Sequence, residues 1–288
     1  MKDKLIILGT LIFLVILVGV YLYLGTVTLD VTTYKIKSEN IPLQFDKFKI
    51  IQISDLHNEK NIKITKKMIE KIKEEEPNII VLTGDIIDSI NTDIDTSINF
   101  INEIKDVAKI YYVSGNHEAV VDAKVYDEFL NKMKNINVTI LDNKVEEIEI
   151  DNAKINLMGV NDPRMYDTQY DDAIMKKNLE SITYNKNNYT ILLSHRPELF
   201  DIYHDNNIDL VLAGHTHGGG IRIPIFGGVI APNQGLFPHF DAGKFTDDDT
   251  VMIISRGIGK SRVPIRINNN PELVEVILKH KETKKASD

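Results

Sequence analysis

The chain has 288 residues, 26% charged and 43% hydrophobic, an ordinary globular balance that fits one or two domains. It has no Cys, which excludes disulfides and thiolate chemistry, and leaves the redox compartment open. The net charge is −8 and no dense Lys/Arg run occurs, which argues against long nucleic acid, a partner that requires a basic stripe.

Residues 5–24 carry no charge. A helix rising about 1.5 Å per residue crosses a bilayer core of about 30 Å in such a run. Tyr21 and Tyr23 stand at its far end, where interfacial aromatics gather. A signal peptide has a shorter apolar stretch and a small-residue cleavage site, and no Ala-x-Ala follows here. The expectation is a single-pass, uncleaved transmembrane anchor over residues 1–24, followed by a juxtamembrane segment over 25–44. Lys2 and Lys4 lie nearer the span than Lys35 and Lys37, which favours a domain on the extracytoplasmic side of the cell membrane.

From Phe48 the pattern alternates. Residues 50–53, 79–82 and 110–113 are short apolar runs of strand type. Helical spacing over 65–75, at Met68, Ile69 and Ile72, stops before Pro77, and helices are expected over 95–105 and 125–133. These are βαβ units, which predict a parallel sheet. Residues 145–150 and 154–160 form a hairpin around Asp151-Asn152. Buried-type strands return at 189–193 and 208–212, with a helix over 197–203 between them.

After His217 the chain is rich in Gly and Pro. Ile221, Ile223, Ile225, Phe226, Ile230, Leu236 and Phe237 crowd this segment. They are expected to cover a second sheet. The alternative is an apolar lip for a lipid substrate or the bilayer. Strands over 250–255 and 272–278 close the chain, and a loose charged tail begins at His280. The simplest architecture is one α/β domain over 45–280, with two facing β-sheets flanked by helices (an αββα sandwich) and a flexible tail over 281–288.

Five segments each follow a predicted strand: Asp55-Leu56-His57, Gly84-Asp85, Gly115-Asn116-His117-Glu118, Ser194-His195 and Gly214-His215-Thr216-His217. Five of the eight His fall in them. Functional loops of α/β sheets gather at the carboxyl ends of strands, so these distant segments can meet in one cleft. Nitrogen and oxygen donors without thiolate suit two divalent metal ions such as Mn, Fe or Zn. A pair of such ions is the usual device for cleaving phosphate esters.

Taken in order, the five segments resemble the calcineurin-like metallophosphoesterase family over most of residues 48–280. The apolar N-terminus and the stretch Ser255-Arg256-Gly257-Ile258-Gly259…Pro264-Ile265-Arg266…Pro271-Glu272-Leu273 resemble its membrane-anchored bacterial branch. The resemblance implies that Asp55, His57 and His217 hold one ion, Asn116, His195 and His215 the other, and that Asp85 bridges them. Mn is the favoured metal. It implies in-line attack on phosphorus by a hydroxide between the ions, with His117 off the metals as the acid beside the leaving oxygen.

The implied substrate is a phosphodiester or pyrophosphate, part of an envelope or lipid-linked molecule. A phosphomonoesterase such as a phosphoprotein phosphatase needs the same ligands, and a non-catalytic metal-binding module is the third reading. Gly220 stands where that branch often has Gln, which leaves open any substrate contact made there. Arg196 either reaches a substrate phosphate or forms a surface ion pair at a helix start, and Arg164 is similarly open. Asp162 orients a ligand His or begins a turn. His204 and His280 are expected to be inert, and His239 to line the cleft without ligating.

Overall fold

The computed structural model describes residues 2–166, 170–259 and 266–282. Pro264 and Ile265 of the closing stretch, and the tail from 283 on, lie outside the described residues.

Helix α1 (Lys2–Val27) contains the apolar run, and none of its residues is buried. It is one N-terminal apolar helix with the length and composition of an anchor or a signal sequence. There follow β1 (Asp30–Ser38), β2 (Lys49–Ile53), α2 (Ile62–Glu75), β3 (Ile79–Thr83), α3 (Ile94–Ile104), β4 (Lys109–Val113), α4 (Ala123–Asn135) and β5 (Thr139–Ile140). The second half supplies β6 (Lys144–Ile150), β7 (Ala153–Gly159), α5 (Asp171–Glu180), β8 (Tyr189–Leu193), α6 (Phe200–Asp205) and β9 (Leu210–Ala213). Short strands β10 (Arg222–Ile223), β11 (Gly227–Gly228), β12 (Ile230–Ala231) and β13 (Gly235–Leu236) precede β14 (Gly243–Asp247), β15 (Thr250–Ile254) and β16 (Glu272–His280).

Two mixed six-stranded sheets result, in the orders β1-β16-β2-β3-β4-β5 and β14-β15-β9-β8-β7-β6. Alternation along the strands makes three apolar layers. Ile50, Val81 and Val113 of the first sheet meet Leu157, Ile191 and Leu212 of the second. On the outer face of the first sheet, Ile51, Ile80 and Leu82 pack on α2, α3 and α4 through Met68, Ile101 and Phe129. On the outer face of the second, Leu192, Val211 and Met252 pack on α5 and α6 through Met175 and Phe200. The order helix–sheet–sheet–helix is the one expected from the sequence.

Local chemistry sets the boundaries. Asn61, Asp93 and Asp122 cap α2, α3 and α4, each side chain accepting from a first-turn N–H. Ile64, Met68 and Ile72 place one buried stripe on α2, and Glu76 leaves it in the left-handed conformation just before Pro77. Asp151 and Asn152 have φ of 48° and 66°, the mirror-image turn that matches strand twist in the β6–β7 hairpin.

Residues 25–44, expected as a juxtamembrane segment, contain β1, which lies parallel to β16 along its whole length, from Asp30↔Glu272 to Ser38↔His280. Two expectations fail here. His280 ends that strand instead of starting a loose tail, and its Nδ1 bonds the carbonyl of Ile41 at 2.6 Å. The apolar residues after His217 do not cover the second sheet. Ile221 is bridged to Ile267, and the others stand on or beside two separate two-stranded hairpins, β10–β11 and β12–β13, which are too small to have an interior of their own.

Only Ile36 of β1 is fully buried. Ile36→Ala is expected to cost about 2–5 kcal/mol in urea unfolding. Its exposed neighbour Lys35→Ala should cost within about 0.5 kcal/mol. Equal, negligible losses would mean that β1 is dispensable to the folded unit.

Candidate metal centre

The two sheets bring the carboxyl ends of five strands to one rim. Asp55 and His57 follow β2, Asp85 follows β3, Asn116 and His117 follow β4, His195 follows β8, and His215 and His217 follow β9. Asp55, His57, Asp85, His215 and His217 all have φ between 45° and 73°. A left-handed backbone costs a non-glycine residue about 1–2 kcal/mol, and such strain gathers at functional sites.

Interlocking bonds hold these turns. Asp55 N–H donates to the Gly84 carbonyl and His57 N–H to that of Asp85, both at 3.0 Å. Both carboxylate oxygens of Asp55 accept from His215 N–H at 3.1 Å, and Asp85 Oδ1 accepts from His117 N–H at 2.7 Å. Gly84 has φ 85°, and a Cβ there would lie 2.6 Å from His195 Nδ1.

Glu118, the last residue of its motif and without a role in the sequence pattern, organises two of the loops. Its buried carboxylate accepts from the N–H groups of Asp85, Ile86, Ile87 and Gly115 at 2.6–3.0 Å. Burial and the nearby Asp85 outweigh those donors and push its pKa up to about 7.

Among the described residues two fully buried donor groups result, Asp55–His57–His217 and Asp85–His195–His215, each with ligand atoms close enough to share one ion. Ring nitrogens face each other within each group. His57 Nε2 lies 3.1 Å from His217 Nε2, and His195 Nε2 lies 3.2 Å from His215 Nδ1. Asp85 Oδ2 stands between the groups, 3.1 Å from His195 Nε2 and 3.7 Å from His57 Nε2. His195 Nδ1 bonds the Thr83 carbonyl at 2.8 Å, which leaves Nε2 as the ligand atom. Asn116 Oδ1 is buried without a hydrogen-bond partner among the described residues, and Asn116 lines the cleft with Asp85 and His215.

The electrostatics fit a cation. Burial opposes charge on His195, yet Asp85 and Asp55 prevail and push it up to about 10. Burial likewise opposes charge on His57, and Asp88, Asp85 and Asp55 reverse the sign and raise it. Burial holds His215 and His217 well below the ordinary value, as neutral rings with a lone pair. Burial pushes Asp55 up, whereas at Asp85 the rings of His195 and His57 outweigh burial and hold its carboxyl well below the ordinary range, so the site draws positive charge from protons that divalent ions would replace.

His117 stands beside this set. Ser89 N–H donates to its Nδ1 at 3.1 Å, so Nε2 carries the ring proton. Asp88, missed from the sequence, lies 3.4 Å from both His117 Nδ1 and His57 Nδ1. Its only sequence signal was an acid three residues after Asp85.

Arg196 is not in a surface ion pair. It is 1% exposed and gives Asp162 two bonds, at 2.5 and 2.8 Å, with Nη1 3.2 Å from Glu198 and 3.5 Å from His215 Nε2. Asp162 therefore pairs with Arg196 and caps a turn through Arg164 N–H. Arg164 is exposed on the cleft wall. His204 is part-exposed on α6, and His239 packs on Phe240 outside the cleft lining. The cleft holds about 550 Å³, with Asp85, Asn116, His117, His215 and His217 among its lining and Ile221, Val229 and Ile230 on its apolar side.

Residues 48–219 match the model of the calcineurin-like phosphoesterase family. The chain belongs to that family. An uncharacterized metallophosphoesterase of Aquifex aeolicus is 30% identical over 93% of this chain and 99% of its own length. Another, YkuE of Bacillus subtilis, is 29% identical over 89% and 88%. Phosphodiesterase YaeI of Escherichia coli is 26% identical over 78% and 80%. The crystal structure of TT1561 of Thermus thermophilus aligns with a TM-score of 0.51 at 12% identity, over 74% of this chain and 90% of that one, a likeness of fold. The protein is a metal-dependent phosphoesterase, a phosphoric ester hydrolase, with the dimetal site typical of the family.

His195, raised to about 10, is protonated at pH 7 in the metal-free metallophosphoesterase, while a ligand ring must be neutral. Metal loading at pH 7 is therefore expected to release protons. Titration in buffers of different ionisation enthalpy reads this directly, and His195→Ala should release fewer. Loading without proton release would remove His195 from the ligand set.

Proposed function

We propose that this metallophosphoesterase hydrolyses phosphodiester or pyrophosphate bonds in an envelope or lipid-linked substrate. In this reading Asp55, His57 and His217 hold one divalent ion, Asn116, His195 and His215 the other, and Asp85 serves both. The observation that carries it is the position of Asp85 Oδ2 between His57 and His195, which makes the two donor groups one centre. Two ions bound there supply a nucleophile from water at neutral pH and positive charge for the phosphoryl oxygens. The mix of imidazole and carboxylate donors without thiolate suits Mn, Fe or Zn, and Mn is the metal of this reading.

The chain's own residues do the rest. His117, with its Nδ1 held by Ser89, offers its Nε2–H as a hydrogen bond that stabilises the charge building on the leaving oxygen. Arg196 is engaged by Asp162 and Glu198, so Arg164 on the cleft wall is the better placed cation for a substrate phosphate. The apolar wall of Ile221, Val229 and Ile230 suits a second ester group that is apolar. The likeness to a phosphodiesterase of Escherichia coli supports the diester reading.

The test uses the Mn-loaded protein with aryl phosphodiesters and matching monoesters, and Asp85→Ala as the blank. Diester hydrolysis is expected to dominate and to vanish in the blank. His117→Ala should keep its metal and lose about 10²–10⁴-fold, most for poor leaving groups. Monoester preference would redirect the reading to a phosphomonoesterase, and equal loss across leaving groups would remove the acid role. Arg164→Ala should raise KM and spare kcat.

Within the same reading α1 is an uncleaved single-pass anchor, with the catalytic domain on the extracytoplasmic side. Lys2 and Lys4 at its amino end support this orientation. Protease added to intact cells is expected to digest the domain, and full protection would reverse the orientation.

A further inference from the structure

The segment after His217 has a composition unlike the rest of the chain. Residues 223–240 contain no Asp, Glu, Lys or Arg, although these make up 26% of the whole. The segment forms the two small hairpins, and its large apolar side chains face out. Ile225 is 103% exposed, Phe226 73%, Leu236 68% and Phe237 60%. Cross-strand pairing sets Ile230 opposite Leu236, and both are exposed. Large apolar side chains exposed this densely on one short segment mark a contact surface.

The base of the surface is closed and charged. Arg222 and Asp241, the residues on either side of the uncharged stretch, pair at 3.0 Å, and Asp241 also accepts from Gly228 N–H. Below them the segment is tied to the apolar helix. Tyr21 of α1 donates to Asn268 Oδ1 at 2.6 Å, Asn268 Nδ2 donates to the Arg222 carbonyl at 3.2 Å, and Arg222 N–H donates to the Ile267 carbonyl at 2.9 Å. Lys63 bonds the hydroxyl of Tyr23 at 3.2 Å on the same end of the helix. Tyr and Lys at a helix end are the side chains that sit at headgroup depth. Two hydrogen bonds therefore separate the interfacial end of α1 from the first residue of the apolar hairpins.

We propose that the hairpins of residues 223–237 are a second membrane contact. Their apolar tips enter the headgroup–acyl boundary of the bilayer that holds α1. The inference rests on the anchor reading of α1. It commits to a lipid surface because the link between the patch and the helix end is on the same chain and short. A second copy of the chain or a soluble protein partner has no such tie. The contact has a consequence for the cleft, since Ile221, Val229 and Ile230 belong to its wall and Ile230 also to the exposed surface. The mouth of the metal centre then opens at the lipid surface, and an apolar substituent of the substrate can remain in the bilayer while its phosphate enters.

The absence of Trp makes a clean test. Three variants of the full chain each carry one Trp: Phe226→Trp in the first hairpin, Val15→Trp in α1, and Leu43→Trp. Leu43 is 68% exposed and lies beyond the far end of β1 from α1. At about 3.3 Å per residue, the nine residues of β1 put roughly 30 Å between them. Each variant is placed at one copy per disc in phosphatidylcholine–phosphatidylglycerol nanodiscs, with or without brominated acyl chains. The expected result is a blue-shifted Phe226→Trp emission that loses most of its intensity to the brominated lipid, as Val15→Trp does, while Leu43→Trp is unaffected.

Quenching of Val15→Trp without quenching of Phe226→Trp would overturn the second contact and leave the anchor standing. Failure of Val15→Trp to be quenched would overturn the anchor reading and the contact with it. Equal quenching of Phe226→Trp and Leu43→Trp would mean indiscriminate adhesion and would also overturn it. So would a blue shift of Phe226→Trp that appears only with several copies per disc and ignores the bromine, because the cover would then be a second copy.

Discussion

Two carboxylates, Asp55 and Asp85, are buried at the seam between the sheets, and the arrangement of the centre follows from keeping them there. Taking a charge out of water costs several kcal/mol even after relaxation, so each needs partners. Backbone N–H groups of His215 and His117 supply part of the compensation. The remainder falls on imidazoles, which explains why His195 rises to about 10 in a site where burial alone would lower it. The left-handed turns at the strand ends are the geometric side of the same arrangement, since they aim backbone donors and rings inward at one point. Ion binding and the integrity of this rim are thus coupled, because the cation and the proton compete for the same buried charge.

A ring of further charges fixes the loops around that pair. Glu118 gathers four N–H groups from the loops after β3 and β4, so the Asp85 and Asn116 segments move together. Arg196 and Asp162 do the same between β7 and β8, and Arg196 Nη1 lies close to His215. Asp88 stands equally near His57 and His117, which joins a ring of the first donor group to the candidate acid. None of these groups touches both donor sets, and each couples two loops that start on different strands. Removing one partner would leave a buried charge alone, the costly way to break such a pair.

Periodicity made most of the longer strands after Phe48 and the helices of the first half legible, because each buries one clear face or run, while β5, β14 and the two-residue strands of the hairpins carry no such pattern. The donor residues were legible because unusual side chains recur directly after those strands. Their supports were not. Asp88 and Glu118 are common acids whose roles depend on which rings and backbone N–H groups turn toward them, and at Asp162 the turn was legible but the pairing with Arg196 was not. Strand β1 escaped notice because it is an edge strand with one fully buried residue and a partner more than 200 residues away. Helix α5 carries only a weak apolar stripe, Met175 and Leu179, among polar neighbours. The apolar residues after His217 misled for a different reason. Apolar composition alone does not say whether a segment has an interior, and two hairpins of two-residue strands have none.

The short stretch 266–272 gives the last step of the synthesis. Asn268 holds the end of α1 and the base of the hairpins, while its neighbour Asn269 donates to the carbonyls of His217 and Gly220 at 2.7 and 2.8 Å. Arg266, buried beside them, donates to the carbonyls of Gly257 and Gly259, and Gly259 N–H donates to the Asp55 carbonyl. From Glu272 the chain enters β16 and pairs with both β1 and β2. One segment thus ties together the apolar helix, the apolar hairpins, the first donor group and the centre of a sheet. A helix on a free linker would let the cleft tumble relative to whatever holds the helix. Here Asn268 bonds the helix end and its neighbour Asn269 bonds the turn that carries His217, so the helix meets the domain through the segment that also supports the first donor group.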